Sequence, residues 1–334
     1  MKLNKSQVET ILHNAFHYSF EDNGRLHVCR FSPQQMDTYA ADEKRDWTLK
    51  THSSASVTFD FITDSDYISL KFDLFPGSSQ KYSSIDLYVD GVFYNSRFME
   101  DQSFKLAGFQ LPEGEHRVTV YFPWSAETVF YEVHLSDGAT VIPVEKRCRI
   151  LCLGDSITQG YIAKCTSLSY VNQMARALDA EVFNQGIGGY YFNEATIDES
   201  ILDVKPDIIT VAYGTNDYSR RETAEEYKAH ASRYIEKLQK LFPDAAIVGI
   251  LPIFRDDLNY HARRLYRTYT LDDARSILRE CYEALPNGYV VEETGIPHLS
   301  QFFAADLLHP NDFGFTLMAP GIVSKLQAIL DERQ

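Results

Sequence analysis

One change of rhythm divides this 334-residue chain. From about Ala55 to Leu135, apolar side chains recur at every second position. They run Val57, Phe59, Phe61, then Ile68, Leu70, Phe72, then Ile85, Leu87, Val89, then Val118, Val120, Phe122, and last Val129, Tyr131, Val133. A period of two is that of a β-strand with one face on a core and the other toward water. Asp90-Gly91, between "IDLYV" and "VFYNS", suits the positive φ angles of a tight type I′ hairpin. Short alternating strands punctuated by Gly, Pro and Ser predict an antiparallel β-sandwich. The first fifty residues lack the rhythm and are attached to the sandwich only loosely.

Beyond about residue 145 the alternation stops. "RILCLG", "AEVFNQ", "DIITVAYG", "AAIVGILP" and "GYVVEE" are short apolar runs rich in β-branched residues, separated by helical stretches. In "TAEEYKAHASRYIEKLQKLF", Tyr227, Ala231, Tyr234, Leu238 and Leu241 share one stripe, and Thr223 with Glu226 predicts a capping box. "TLDDARSILRECYEAL" and "DFGFTLMAPGIVSKLQAIL" read as helices too. Strands alternating with helices imply an α/β, flavodoxin-like domain around a five-stranded parallel sheet. The expected domains are therefore 1–145, a β-sandwich accessory domain, and 146–334, an α/β domain.

Composition narrows the partners. With 47 acidic against 32 basic residues the formal net charge is −15, which argues against nucleic acid or an anionic membrane as the main partner. The amino terminus has no run suited to a signal-peptide core, and no stretch approaches the uninterrupted apolar length of a membrane span, so a cytoplasmic protein is expected. Cys29, Cys148, Cys152, Cys165 and Cys281 are scattered, without Cys-x-x-Cys or zinc-like spacing, and read as reduced thiols. No metal or organic cofactor is expected. A homo-oligomer is expected only by analogy.

In an open α/β sheet, ligands bind beyond the carboxyl ends of the strands. There the sequence offers Gly154-Asp155-Ser156 after the first strand, "NQGIGGYY" after the second, "YGTNDY" after the third, and a late "DLLHPNDFGF". A serine hydroxyl needs an adjacent base, usually a histidine oriented by a third group. His309 has Asp306 three residues before it; Glu113 and His116 share the spacing but lie in the turn "LPEGEHRV", where a solvated pair is expected. An acyl-transfer oxyanion needs fixed donors. The Ser156 N–H, the N–H of Gly189 and the amide of Asn216 come from three neighbouring loops. Taken singly, each has a structural reading: a helix cap for Ser156, a turn glycine for Gly189, and a turn cap for Asn216. Asp306 either orients His309 or caps the following segment while a carbonyl orients the histidine.

Together these blocks resemble the SGNH hydrolases of the GDSL esterase group. "GDSIT", "NQGIGG", "GTND" and "DLLH" stand in family order, and "SSIDLYVDG" is similar to the G-x-D-L-Y signature of an amino-terminal domain found in one subgroup, with serine where the leading glycine would be. The resemblance implies Ser156 as nucleophile, His309 as base oriented by Asp306, and an oxyanion hole of Ser156, Gly189 and Asn216. Asp155, Tyr190 and Tyr218 are expected substrate contacts, and Asp155 and Asp217 are expected to brace the loops. Tyr191, Phe192 and Tyr213 are divided between pocket wall and core, and Trp124 between sugar stacking and sandwich core.

Similarity to two-domain carbohydrate acetylesterases implies a jelly-roll-like sandwich and hydrolysis of short O-acyl esters, most of all O-acetyl groups on small or oligosaccharide substrates. The alternatives are a lysophospholipase or acyl-thioesterase of the same superfamily, and a catalytically silent carbohydrate-binding protein.

Overall fold

A computed structural model describes residues 1–42, 47–257 and 268–333. The amino-terminal half forms two antiparallel sheets. One is ordered β1 (Leu12–His13), β4 (Thr58–Thr63), β9 (His116–Tyr121), β6 (Ser83–Val89), β7 (Val92–Met99), with β11 (Ile142–Pro143) also on β4. The other is ordered β2 (His17–Phe20), β3 (Leu26–Cys29), β10 (Ala126–Leu135), β5 (Tyr67–Pro76), β8 (Leu106–Gln110). The residues picked out by the period of two meet between the sheets: Phe59, Phe61, Ile68, Leu70, Phe72, Ile85, Leu87, Val118, Val120 and Val133 are all buried. Asp90 and Gly91 have φ of 50° and 78° and join Val89 to its partner Val92, as a type I′ hairpin requires.

The expectation of one wet face fails for β6 and most of β4. Every residue of β6 is buried, because its outer face docks on the second half of the chain. There Ser84 Oγ accepts from the Thr166 N–H and Asp86 Oδ2 from the Ser167 N–H, both at 2.8 Å. Asp60 on β4 takes a bidentate bond from Arg117 and pairs with Lys146. Alternation read correctly which residues of β4, β5, β6 and β9 face the sandwich core. It failed on β10, where a bulge between Phe130 and Glu132 puts Phe130 in the core beside Val133 and turns Tyr131 outward to Asp73 and Arg25. What covers the other face was outside its reach.

The second half contains the expected all-parallel sheet, ordered β13 (Ala180–Gly186), β12 (Cys148–Gly154), β14 (Ile208–Ala212), β15 (Ala246–Ile250), β16 (Gly288–Val291). Both faces are covered, so its strands read as continuous apolar runs. Ile150 and Cys152 face one core with helices Tyr170–Leu178 and Asp312–Glu332; Leu151 and Leu153 face the other, with Ala224–Leu241 and Leu271–Glu283. Phe31, Tyr39 and Trp47, from the aperiodic amino-terminal region, join this second core. In Ala224–Leu241 the Thr223 side chain caps the Glu226 N–H, but the Glu226 carboxylate reaches the Glu222 N–H, so the predicted box is only half made. Contrary to the sequence expectation, Asp312–Glu332 is long and apolar enough to cross a membrane. Here Phe315, Met318, Ile322, Leu326 and Ile329 bury its inner face in the core.

Candidate active site

β12 delivers the chain into a sharp turn. Asp155 caps the short helix Ser156–Gln159 by accepting from the Ile157 N–H at 3.0 Å, which puts Ser156 at the first helical position. An N–H there has no carbonyl of its own helix to bond. The Ser156 side chain meets His309: Oγ lies 2.6 Å from Nε2. The other ring nitrogen, Nδ1, lies 2.7 Å from Asp306 Oδ2. A carboxylate only accepts, so Nδ1 carries the proton and Nε2 is left to accept from the serine hydroxyl. This is the tautomer a general base needs.

Asp306 fills both of the roles left open by the sequence. While Oδ2 holds the imidazole, Oδ1 accepts from the main-chain N–H groups of Leu308 and His309 at 3.0 Å each. Partial burial alone would raise its pKa. The His309 bonds and the Leu308 N–H outweigh that and bring it down to about 2. The loop between acid and base is bent through Leu307, a non-glycine residue at φ 56°. Its carbonyl is held at 3.1 and 3.2 Å by the N–H groups of Asp256 and Asp257, which fixes the unusual backbone.

The second strand ends against the turn that carries Ser156. A Cβ on Gly186 would sit 2.3 Å from the Gln159 nitrogen, so only glycine allows this approach. Asn184 ties the two together, donating to Thr158 O at 2.8 Å and accepting from the Gly186 N–H at 2.9 Å. Ile187–Tyr190 then closes a turn through a 3.0 Å bond from Tyr190 N–H to Ile187 O, with Gly189 at φ 85°. From the third strand, Asn216 Nδ2 donates to Asp155 Oδ2 at 3.1 Å and to Tyr190 O at 3.0 Å.

Asp155, Tyr190 and Tyr218, the expected substrate contacts, are all buried, and none of them lines the cleft beside Ser156. Asp155 is 2% exposed and spends its carboxylate on Ile157 and Asn216, so it orients the Asn216 amide. Burial pushes its pKa up to about 6. Tyr190 is 2% exposed, packed edge-on against Tyr39 and Trp47. Tyr218 is 8% exposed and packs edge-on against Tyr269. Their rings complete the core filled from the amino-terminal region. Phe192 and Tyr213 are also core, and Trp124 is buried with its indole N–H on Ala163 O at 2.8 Å. Asp217 braces the second loop by accepting from the Phe192 N–H, and burial raises its pKa to about 7.

Ser156, Gly189, Asn216, His309 and Asp306 all line one cleft of about 240 Å³. Lys50, Ser79 and Tyr161 also line it, and sequence reasoning had singled out none of these three. Tyr161 follows the serine motif by a few residues; its ring lies 4.7 Å from that of His309 and its hydroxyl bonds Ser79 and Gln80 of the sandwich. A larger cavity of about 660 Å³ lies at the opposite end of the parallel sheet, around Cys148 and Asp207, and contains none of these groups. Among the described residues, no group of three or more His, Cys, Asp or Glu is placed to hold a metal ion.

Residues 152–317 match the sequence profile of the GDSL-like lipase/acylhydrolase family. No curated protein matches the chain in sequence. Among solved structures, a salicylyl-acyltransferase, SsfX3, from a tetracycline biosynthetic pathway superimposes with a TM-score of 0.79 at 17% identity, over 95% of this chain and 94% of its own. A GDSL-like lipase from Bacteroides ovatus gives 0.73 at 18% identity, over 99% and 98%. A family two carbohydrate esterase from Cellvibrio japonicus gives 0.65 at 19% identity, over 98% of both chains. At such identities the likeness is one of fold, and it extends over both halves of the chain.

Proposed function

We propose that this chain, whose residues 152–317 form a GDSL-like lipase/acylhydrolase domain and make it a carboxylic ester hydrolase, removes short O-acyl groups from carbohydrates through an acyl-enzyme on Ser156. The observation that carries the reading is the unbroken hydrogen-bonded chain Ser156–His309–Asp306 opening on the cleft that holds Gly189 and Asn216. Ser156 Oγ attacks the ester carbonyl carbon as its proton passes to His309 Nε2, and Asp306 stabilises the imidazolium. The carbonyl oxygen takes the negative charge and accepts from Ser156 N–H, Gly189 N–H and Asn216 Nδ2, which exchanges its Tyr190 carbonyl for the oxyanion. Collapse breaks the bond to the leaving alcohol, which takes the proton from His309. Water, deprotonated by the same histidine, then cleaves the acyl-enzyme.

The preference for a short acyl group rests on the cleft: about 240 Å³ is small beside the roughly 300–1,000 Å³ of sites that bury a drug-sized ligand. This disfavours a lysophospholipase or long-chain thioesterase. The retained triad disfavours a silent binding protein. A carbohydrate as the alcohol is supported by the carbohydrate esterase among the similar structures and by the polar walls at Lys50, Ser79 and Tyr161. The acyltransferase among them raises a second reading, in which an alcohol other than water takes the acyl group.

Initial rates on p-nitrophenyl esters from acetate to palmitate, with wild type and Ser156→Ala, test the reading. Acetate turnover that falls with chain length and vanishes in the variant supports it, and acetate release from acetylated oligosaccharides tests the alcohol. A rate that rises toward palmitate refutes the short-acyl assignment; added glycerol that diverts acyl groups from acetate to ester favours transfer.

A further inference from the structure

The turn that presents Gly189 N–H has a weakness: its central peptide joins two glycines. Ile187–Tyr190 has the i to i+3 hydrogen bond and the positive φ at its third residue that define a type II turn. Type I closes the same four residues with the same hydrogen bond but with the Gly188–Gly189 peptide turned over. A trans peptide points its C=O and N–H in opposite directions, so that inversion would aim Gly188 O into the cleft and Gly189 N–H away from it. Glycine at both central positions removes the side-chain sterics that would otherwise choose.

Polar contacts from outside the turn choose instead. The Gly188 N–H donates to Gln159 Oε1 at 2.9 Å, and Gly189 O accepts from Arg220 at 3.2 Å. Gly188 O accepts from Lys50 Nζ. Among the described residues, Gly189 N–H is the main-chain donor of this turn that keeps no acceptor of its own. Lys50 lies on the short helix Thr48–Thr51, far from the serine motif in sequence, and is itself placed by Arg30, which donates to Lys50 O at 2.8 Å.

We infer that Lys50 is a positioning residue for the oxyanion hole: its ammonium holds the Gly188–Gly189 peptide in the sense that directs Gly189 N–H at the substrate carbonyl. The charge on the carbonyl also polarises the amide and strengthens that N–H as a donor. Through Lys50, a segment preceding the sandwich strand β4 sets the rate of chemistry on the α/β domain. The inference rests on the hydrolase reading above.

The test uses p-nitrophenyl acetate, which carries no charge for Lys50 to bind, and compares wild type, Lys50→Met, Lys50→Arg and Ser156→Ala. The expected result is a 10- to 100-fold lower kcat for Lys50→Met with KM within about twofold, and recovery of at least a third of the wild-type rate in Lys50→Arg, which restores the cation. An unchanged kcat in Lys50→Met overturns the inference. So does a loss confined to KM, or one seen only with anionic esters, since either makes Lys50 a substrate contact. Should Lys50→Met not fold, Lys50→Gln replaces it, and a Lys50→Gln rate equal to Lys50→Arg overturns the role of the charge. Inert wild type, or activity surviving in Ser156→Ala, refutes the hydrolase reading instead.

Discussion

Replacing Asp155 by asparagine should separate activity from stability. The carboxylate is 2% exposed, and its two oxygens serve different partners: Oδ1 takes the Ile157 N–H and Oδ2 takes Asn216 Nδ2. Asparagine keeps the shape but has only one oxygen. If that oxygen stays on the cap of the Ser156–Gln159 helix, an NH2 group faces the NH2 of Asn216, and the amide proposed for the oxyanion hole loses the acceptor that orients it. Loss of one oxyanion donor lowers kcat by about 10²–10³. Stability should move the other way. Burial raises the Asp155 pKa from 3.8 to about 6. At roughly 1.36 kcal/mol per pKa unit, keeping it ionised in the fold at pH 8 costs on the order of 3 kcal/mol. The variant escapes that cost but leaves one N–H without its acceptor, at about 1–3 kcal/mol, so at pH 8 it should be as stable as wild type or more so.

The sign carries over to pH. Between 3.8 and about 6 the folded protein holds the Asp155 proton and the unfolded chain has released it, so this group makes wild type lose stability as pH rises through that window. Asp155→Asn has no such term, and its advantage should grow from pH 4 to pH 7. Steady-state kinetics on p-nitrophenyl acetate and urea unfolding at both pH values read the two effects. A kcat within threefold of wild type would refute the orienting role. An advantage that does not change with pH would refute the buried-charge argument.

Other perturbations follow the same structure. Gly189→Ala places a side chain at φ 85°, a conformation that costs an L-residue roughly 1–2 kcal/mol, and relaxation of the turn carries the N–H off the oxyanion; kcat should fall at least tenfold in single-turnover kinetics with a melting temperature lowered by a few degrees. Arg30 is 1% exposed and donates to the carbonyls of Ser53, Asn184, Gly186 and Lys50; Arg30→Met should lower unfolding free energy by about 3 kcal/mol or more in urea titration, and a loss below about 1 kcal/mol would show that water replaces the guanidinium. Asp306 is depressed from 3.8 to about 2, so its stabilising contribution is present above about pH 4 and lost as pH falls toward 2. The stability difference between wild type and Asp306→Asn should therefore shrink across that range in acid unfolding.

Local structure was legible in the sequence because it depends on near neighbours. The period of two assigned Val57, Phe59 and Phe61 to a core face, and the five apolar runs became the five parallel strands. Ser156 follows its strand directly, and Asp306 stands three residues before His309, so their relation needs only one tight loop. What tertiary structure alone decided is which surfaces are covered and what distant segments bring to the cleft. The outer face of β6 reads as solvated until Thr166 and Ser167 dock on Ser84 and Asp86. Tyr190 and Tyr218 flank glycine-rich motifs and read as pocket walls, but Tyr39, Trp47 and Tyr269 close over them. Lys50 reaches Gly188 across a large separation in sequence. Periodicity reports the direction of a side chain relative to its own backbone; burial and contact also depend on what folds back onto it, and that is fixed only when remote segments pack together.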